Sequence, residues 1–198
     1  MIHQTMKGNL IIITSPSGGG KGTLITELMK RGVGIGYSVS YTTREMRAGE
    51  ANGTDYSFIT DEEFEKLIAA DEFLEYAKVH GNYYGTSRSR VEALINEGVD
   101  VILEIDVQGA ADVLAKLPAA VSIFILPPSF EALAQRLRSR NTEKPEQLAL
   151  RLRNSFDEVK RYSEFEYVVI NDSVADAVRR LESIIVGERQ RRTRQTDA

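Results

Sequence analysis

Short apolar segments rich in β-branched residues recur along the chain and are separated by longer amphipathic stretches. The apolar segments predict buried strands over Leu10–Thr14, 99–105, Val121–Leu126 and Tyr167–Ile170. In the stretches between them, apolar positions return every three or four residues, which is the period of a helix with one buried face. They predict helices over 21–31, 60–70, 87–97, 129–140 and 145–163, and a last helix that opens at Ser173. This alternation predicts an α/β fold, with a parallel sheet covered by helices on both faces.

Two regions interrupt the alternation. Residues 37–87 are polar, aromatic and rich in turn residues, and they predict a small mixed α/β insertion with antiparallel strands and one helix. Residues 128–164 are helical in pattern and carry a run of arginines. The predicted organisation is therefore a core of residues 1–36, 88–127 and 165–198, the insertion, and a helical lid with its flanking helices at 128–164.

Composition narrows the function classes. With 198 residues, 42% hydrophobic and 27% charged, the chain is typical of a globular protein with one substantial core. Its formal net charge of −4 argues against a nucleic-acid-binding protein, and the absence of cysteine excludes disulfides. The longest apolar runs are far shorter than a membrane span, and the first residues lack the features of a secretory signal. We expect a cytoplasmic protein with neither a membrane nor a nucleic-acid partner.

A glycine-rich segment follows the first predicted strand and leads directly into the first predicted helix. Its three consecutive glycines let the backbone curl so that several N–H groups point inward. The helix N-terminus adds a partial positive charge and Lys21 a full one, which favours a nucleotide polyphosphate site over a merely flexible turn. The predicted ATP-binding residues are Ser15, Pro16, Ser17, Gly18, Gly19, Gly20, Lys21, Gly22 and Thr23.

This segment departs from the strict phosphate-loop pattern G-x-x-x-x-G-K-[ST] at two positions. Ser15 replaces the first glycine, and Gly22 stands where the pattern has a hydroxyl residue that binds Mg²⁺. Thr23 follows one position later and is the candidate for that metal contact. Mg²⁺, accompanying ATP as co-substrate, is the expected cofactor.

Longer motifs follow in series: SVSYTTREMRAGE at 38–50, NG at 52–53, DYSF at 55–58, FLEYA at 73–77, GNYYGT at 81–86 and LEIDVQG at 103–109. Together with the glycine loop and the arginine-rich stretch, this series resembles the guanylate kinases over nearly the whole chain, from Asn9 to about Asp172. The resemblance implies a P-loop NTPase-type fold with a GMP-binding insertion and a lid. It also implies transfer of the γ-phosphate of ATP to GMP, with dGMP as an alternative acceptor.

The resemblance further implies roles for individual residues. The implied GMP contacts are Ser40, Arg44, Arg47, Tyr56, Glu75, Tyr84, Thr86 and Asp106. The implied catalytic residues are Lys21, Arg44, Arg136, Arg140 and Arg151. All of them except Arg44, which contacts the GMP phosphate, hold ATP and the transferring phosphoryl group. These residue types suit the chemistry, because a guanidinium binds phosphate oxygens in pairs and stays charged. Carboxylates accept the N1–H and 2-amino donors of guanine, and hydroxyls can donate to its O6.

Two rival functions stay open from the sequence. A monophosphate kinase for another base, such as AMP or UMP, would share the glycine loop. A catalytically inactive guanylate-kinase-like module that binds partner proteins would share the order of the motifs. Because such modules typically degrade the phosphate loop, Lys21 and the triple glycine favour an enzyme.

Overall fold

The computed structural model describes residues 7–32, 34–79, 81–139 and 145–191, and two sheets organise this part of the chain. In chain order the strands are β1 (Leu10–Thr14), β2 (Ile35–Tyr37), β3 (Tyr41–Thr42), β4 (Ser57–Phe58), β5 (Phe73–Val79), β6 (Asn82–Ser87), β7 (Asp100–Glu104), β8 (Val121–Leu126) and β9 (Tyr167–Ile170). The helices are α1 (Lys21–Lys30), α2 (Asp61–Ala69), α3 (Arg88–Asn96), α4 (Val107–Lys116), α5 (Phe130–Ser139), α6 (Pro145–Lys160) and α7 (Val174–Arg189).

The core sheet has the strand order β2-β7-β1-β8-β9, and all of its pairings are parallel. Every residue of the central strand β1 is buried, and successive side chains point to opposite faces of the sheet. Ile11 and Ile13 pack in one apolar cluster with Leu24 of α1 and Leu181 of α7. Ile12 packs in a second cluster with residues of α3 and α4. Helices therefore cover both faces, and the predicted α/β architecture is confirmed.

Two elements of the core are absent from the sequence prediction. Helix α4 begins directly after β7, where Asp106 caps it by accepting a hydrogen bond from the Gly109 N–H at 2.7 Å. Strand β2 is three residues long and pairs with β7 at the edge of the sheet. At Gly36 in β2, a Cβ atom would lie 2.8 Å from the Val99 side chain, so this close approach of two strands requires glycine.

The second sheet lies within the predicted insertion and has the order β4-β3-β6-β5. β6 pairs antiparallel with both β3 and β5, but β3 and β4 pair parallel. The prediction of antiparallel strands is therefore wrong for this pair, because the loop between them returns the chain to the same end of the sheet before β4 begins. Helix α2 packs on this sheet through Phe64, which stacks on Phe73 at 4.4 Å and on Tyr83 at 4.9 Å between ring centroids.

The arginine-rich stretch forms α5 and α6, which pack against each other. The predicted 145–163 helix gives way to a 3₁₀ turn after Lys160. Arg140 lies outside the described residues. Within the described ranges, none of the helices combines the length and apolarity that crossing a membrane requires.

A buried carboxylate joins the start of β7 to both ends of the described chain. Asp100 is 1% exposed and accepts hydrogen bonds from the backbone and side-chain nitrogens of Asn9 at 2.6 and 2.8 Å. Its second oxygen accepts from Arg189 Nε at 2.6 Å, which ties α7 to the sheet. A buried charge is stabilised only when it is paired and hydrogen-bonded, as this one is.

Asp100→Ala is expected to lower the free energy of unfolding by about 3 kcal/mol, because it removes one partner of a buried ion pair. Urea denaturation of the two proteins measures the difference. The matched control is Arg31→Ala, which removes the more exposed Arg31–Glu182 pair and should cost less than about 1 kcal/mol. Equal losses in the two variants would contradict the anchoring role of Asp100.

Candidate active site

Two adjacent cavities open at the carboxyl ends of the core strands. A cavity of about 320 Å³ is lined by residues 15–23, and another of about 300 Å³ lies between β7 and the second sheet. Glu104 and Asp106, at and just beyond the end of β7, line both cavities. The carboxyl ends of parallel strands are where open α/β sheets bind their ligands. The two cavities therefore meet at one pair of carboxylates.

The glycine loop has the backbone that phosphate binding requires. Gly18 and Gly20 have φ angles of 83° and 89°, in the left-handed region that glycine adopts most easily. A Cβ atom at Gly20 would also lie 2.4 Å from the side-chain nitrogen of Asn171. That nitrogen donates to the Gly19 carbonyl at 2.9 Å, so a residue after β9 fixes the loop before it enters α1.

Lys21 links the loop to the end of β7. Its Nζ donates to the Ile105 carbonyl at 2.7 Å, which holds the ammonium group beside Glu104 and Asp106. Burial lowers the pKa of Lys21, and the two carboxylates oppose that shift. The predicted metal contact Thr23 lines the same cavity and is exposed.

Two of the predicted lid arginines contact the loop. Arg136 of α5 donates to the Gly19 carbonyl at 3.4 Å and to the Asn171 carbonyl at 2.9 Å. Arg151 of α6 donates to the Ser17 hydroxyl at 2.8 Å. Glu158 of the same helix accepts from the Ser17 N–H at 2.9 Å. The structure thus brings Arg136 and Arg151 to the loop, from two different helices.

The predicted phosphate-binding arginines of the insertion converge on an acidic side chain. Arg44 makes a two-pronged contact with Glu50 at 2.8 and 3.0 Å, and the Arg47 backbone N–H donates to the same carboxylate at 2.8 Å. The hydrogen bond from Arg44 is the main reason that the pKa of Glu50 lies below its usual range. The Arg47 side chain is exposed, and neither arginine lines the 300 Å³ cavity.

The two neighbouring tyrosines of β6 have different surroundings. Tyr83 stacks on Phe64 inside the insertion. Tyr84 lines the cavity and meets Tyr56 edge to face, with 5.9 Å between ring centroids. Arg44 lies 5.5 Å from the centre of the Tyr56 ring, so the ring that contacts Tyr84 also contacts the arginine.

The four predicted guanine contacts line one cavity: Ser40, Glu75, Thr86 and Asp106. The Thr86 hydroxyl donates to Glu75 at 2.7 Å across the β5–β6 pair, so the hydroxyl and the carboxylate are held together. Burial raises the pKa of Glu75, the Thr86 hydrogen bond opposes this, and Asp106 adds to the rise. The site can present carboxylate acceptors and hydroxyls to a flat polar ligand.

Sequence reasoning missed several residues of this arrangement. Glu50 ends the motif SVSYTTREMRAGE, but nothing in the local sequence indicates that it binds Arg44. Tyr37, which lines the cavity together with Glu104, is the last residue of the short strand β2. Asn171 and Glu158 reach the loop from positions more than 130 residues further along the chain. Only the tertiary fold reveals these contacts.

The raised pKa of Glu75 has a consequence for stability. The folded protein holds a proton on this carboxyl at a higher pH than the unfolded chain does, so ionisation of Glu75 opposes folding. This loss in the free energy of unfolding is absent below the ordinary pKa of 4.5 and reaches its full size above the raised pKa of Glu75. Glu75→Gln is therefore expected to increase the free energy of unfolding at pH 7, with the gain vanishing as the pH falls below about 4.5.

Urea denaturation across a pH series measures the difference in free energy of unfolding between parent and variant. The control is Glu72→Gln, for which the expected change in stability has the opposite sign. Burial raises the pKa of Glu72, but hydrogen bonds from Ser87 and Ser89 outweigh it and leave the pKa lowered. The control should therefore be less stable than the parent at pH 7, with the loss shrinking as the pH falls. If Glu75→Gln raised the free energy of unfolding by the same amount at every pH, burial of the carboxyl would not be the cause.

Comparisons with known proteins agree with this geometry. The family model described as guanylate kinase matches residues 7–188. A guanylate kinase of Neisseria meningitidis serogroup A is 52% identical over 189 residues, covering 96% of this chain and 92% of that protein. One from Clostridium perfringens strain SM101 is 49% identical over 190 residues, covering 96% and 88%. The crystal structure of guanylate kinase from Anaplasma phagocytophilum superposes with a TM-score of 0.76 at 34% identity, covering 98% of this chain and 92% of that one. The chain belongs to the guanylate kinase family.

Proposed function

We propose that this chain transfers the γ-phosphate of ATP to GMP, giving ADP and GDP. The observation that carries the proposal is the junction of two cavities at Glu104 and Asp106. One cavity is built from a phosphate loop, and the other holds a paired carboxylate and hydroxyl. ATP and GMP bound in them would point their phosphates toward each other, which is the alignment that in-line transfer needs.

The acceptor cavity suits guanine better than other bases. Guanine presents two neighbouring donors, N1–H and the 2-amino group, which Glu75 can accept. Thr86 and Ser40 supply hydroxyls, and Asp106 a second carboxylate, on the same cavity wall. Adenine lacks this pair of donors, so the half-buried Glu75 carboxylate would keep Thr86 as a partner but receive no hydrogen bond from the base, which is costly. This favours GMP over AMP, the first rival.

Phosphate binding is assigned to cationic groups of the loop, the insertion and the lid. Arg44 and Arg47, with Tyr56 and Tyr84, would hold the GMP phosphate. Lys21 with Arg136 and Arg151, and Arg140 outside the described residues, would hold the ATP phosphates and stabilise the charge of the transition state. The second pKa of a nucleoside monophosphate is about 6, so the attacking oxygen is already deprotonated at pH 7 and needs no protein base.

The residues at the loop fit Mg²⁺ that arrives with ATP. This ion binds through one or two carboxylates and substrate phosphates and keeps several waters. Glu104 and Asp106 offer exposed carboxylates beside the loop, and Thr23 a hydroxyl on the same cavity. When bound with ATP, Mg²⁺ would neutralise part of the phosphate charge during transfer. Clusters of three or more metal-binding side chains are absent from the described ranges.

The second rival, an inactive interaction module, is disfavoured by the intact loop. Gly18 and Gly20 have the required backbone, Lys21 lines the cavity, and Arg136 and Arg151 contact the loop. We propose that the insertion 37–87 and the lid 128–164 move as units against the core of 1–36, 88–127 and 165–198. Closure would exclude water from the transferring phosphoryl group. A cytoplasmic location is consistent with these substrates.

The function is tested by ADP production from ATP and Mg²⁺ with GMP, dGMP, AMP, UMP or CMP offered separately. We expect turnover with GMP and little with AMP. Glu75→Gln should weaken GMP binding by about 1–3 kcal/mol, because one guanine donor loses its carboxylate. Calorimetric titration with GMP measures this loss.

Glu72→Gln serves as the control, because Glu72 does not line the cavity and should leave GMP affinity unchanged. Turnover with AMP equal to that with GMP would overturn the base assignment and leave a phosphotransferase. The absence of turnover with every acceptor would favour the interaction module instead.

A further inference from the structure

Strand β5 contains one residue more than its partner β6 between two aligned pairs. The aligned pairs are Phe73 with Ser87 and Glu75 with Thr86. Leu74 is the extra residue on β5. An extra residue of this kind forms a β-bulge, which bends the strand and re-aims the side chains that follow it. The bulge therefore lies immediately before the carboxylate that is assigned to guanine.

The bulge determines which face of the second sheet carries Glu75. In a regular strand the side chains alternate, so Phe73 and Glu75 would share one face and Tyr76 would lie on the other. Instead, Phe73 and Tyr76 both contact the Phe64 ring of α2, at 4.4 and 6.3 Å between ring centroids. Glu75 Oε2 lies 3.6 Å from the point that a Cβ atom of Gly109 in α4 would occupy. The extra residue thus turns the carboxylate away from α2 and toward the acceptor cavity.

A lysine of the core holds this bulge. Lys116, in the last turn of α4, donates from Nζ to the Leu74 carbonyl at 2.9 Å and to the Phe73 carbonyl at 3.5 Å. Both carbonyls belong to the bulged part of β5. The Leu74 side chain is 1% exposed and packs in the same apolar cluster as Ile12 of β1. The bulge is therefore joined to the core through its backbone and through a side chain.

We propose that Lys116 is a positioning residue for base recognition, because it holds the bulge of β5 in the geometry that aims Glu75 into the acceptor cavity. Lys116 does not line that cavity, so it acts through Glu75 and not on the base. Its positive charge also opposes the rise in the pKa of Glu75 that burial causes. The inference rests on the proposed function, because it needs GMP in the acceptor cavity with its guanine on Glu75.

A purely local role for Lys116 predicts a different result. A cation in the last turn of a helix is stabilising, because the helix C-terminus carries a partial negative charge. Such a role would change the stability of the protein and leave guanine binding unaltered. The observed contacts favour the positioning role, because the ammonium group leaves its own helix and reaches the backbone of β5.

Calorimetric titration of the full chain with GMP tests the inference through Lys116→Met, which keeps the aliphatic stem and removes the donor. We expect the dissociation constant of GMP to rise about five-fold, the scale of one weakened hydrogen bond to a charged group. IMP, which lacks the 2-amino group of guanine, should lose less affinity, because it offers Glu75 one donor fewer. Lys116→Arg, which keeps a donor for both carbonyls, should retain most of the affinity for GMP.

The same titration in a Glu75→Gln background shows whether Lys116 acts through Glu75. Two residues that act on binding as one unit are not additive, whereas independent residues are. Lys116→Met should therefore change GMP affinity by less than about two-fold once Glu75 is replaced. Because Lys116 is exposed, we expect the variants to stay folded, and urea denaturation of each one separates binding from stability.

Lys66→Met is the matched control, because Lys66 is an exposed lysine of α2 that does not line the acceptor cavity. It should leave the dissociation constant of GMP unchanged. Unchanged GMP affinity in Lys116→Met, or a five-fold loss that persists in the Glu75→Gln background, would overturn the inference. If the parent chain binds no GMP, or if Glu75→Gln binds GMP as tightly as the parent does, the proposed base assignment fails and the inference fails with it.

Discussion

The parallel pairing of β1 with β7 sets the carboxyl ends of these two strands side by side, about 4.8 Å apart. The phosphate loop follows β1, and Glu104 and Asp106 lie at and just beyond the end of β7. The register of this strand pair therefore determines where the loop lies relative to the two carboxylates. The bond from Lys21 to the Ile105 carbonyl depends on this spacing. Burial of the whole of β1 makes the register costly to change, because a shift by one residue would turn its apolar side chains to the wrong faces.

Cationic groups around this junction already have protein partners. Arg44 is held by Glu50, Arg136 by two backbone carbonyls, and Lys21 by another. These contacts keep the side chains oriented without ligand, which limits the entropy lost when phosphate binds. They also mean that a phosphate must compete with existing acceptors. A ligand shifts the equilibrium between two conformations only by the difference between its binding free energies for them. Exchange of protein acceptors for phosphate at these cationic groups would supply such a difference in binding free energy.

The sequence predicts the parts of the fold whose signals are local. β1, β8 and β9 have the predicted bounds, because β-branched runs flanked by turn residues are specific to buried strands. The sequence does not predict helix α4, because only two residues separate it from β7 and it contains Gly109. It does not predict β2, because three residues show no periodicity. In the site, the loop and the cavity-lining residues follow from sequence motifs. The contacts of Asn171, Glu158 and Tyr37 depend on long-range packing, which no local pattern encodes.

The two cavities, joined at Glu104 and Asp106, would form a single site in which ATP and GMP meet. A bisubstrate ligand, with adenosine and guanosine joined through five phosphates, tests it most directly. We expect this ligand to compete with both ATP and GMP. Its affinity should be at least about ten-fold above that of GMP alone, because binding of the second half becomes intramolecular. Competition with only one nucleotide, at the affinity of that nucleotide alone, would contradict it.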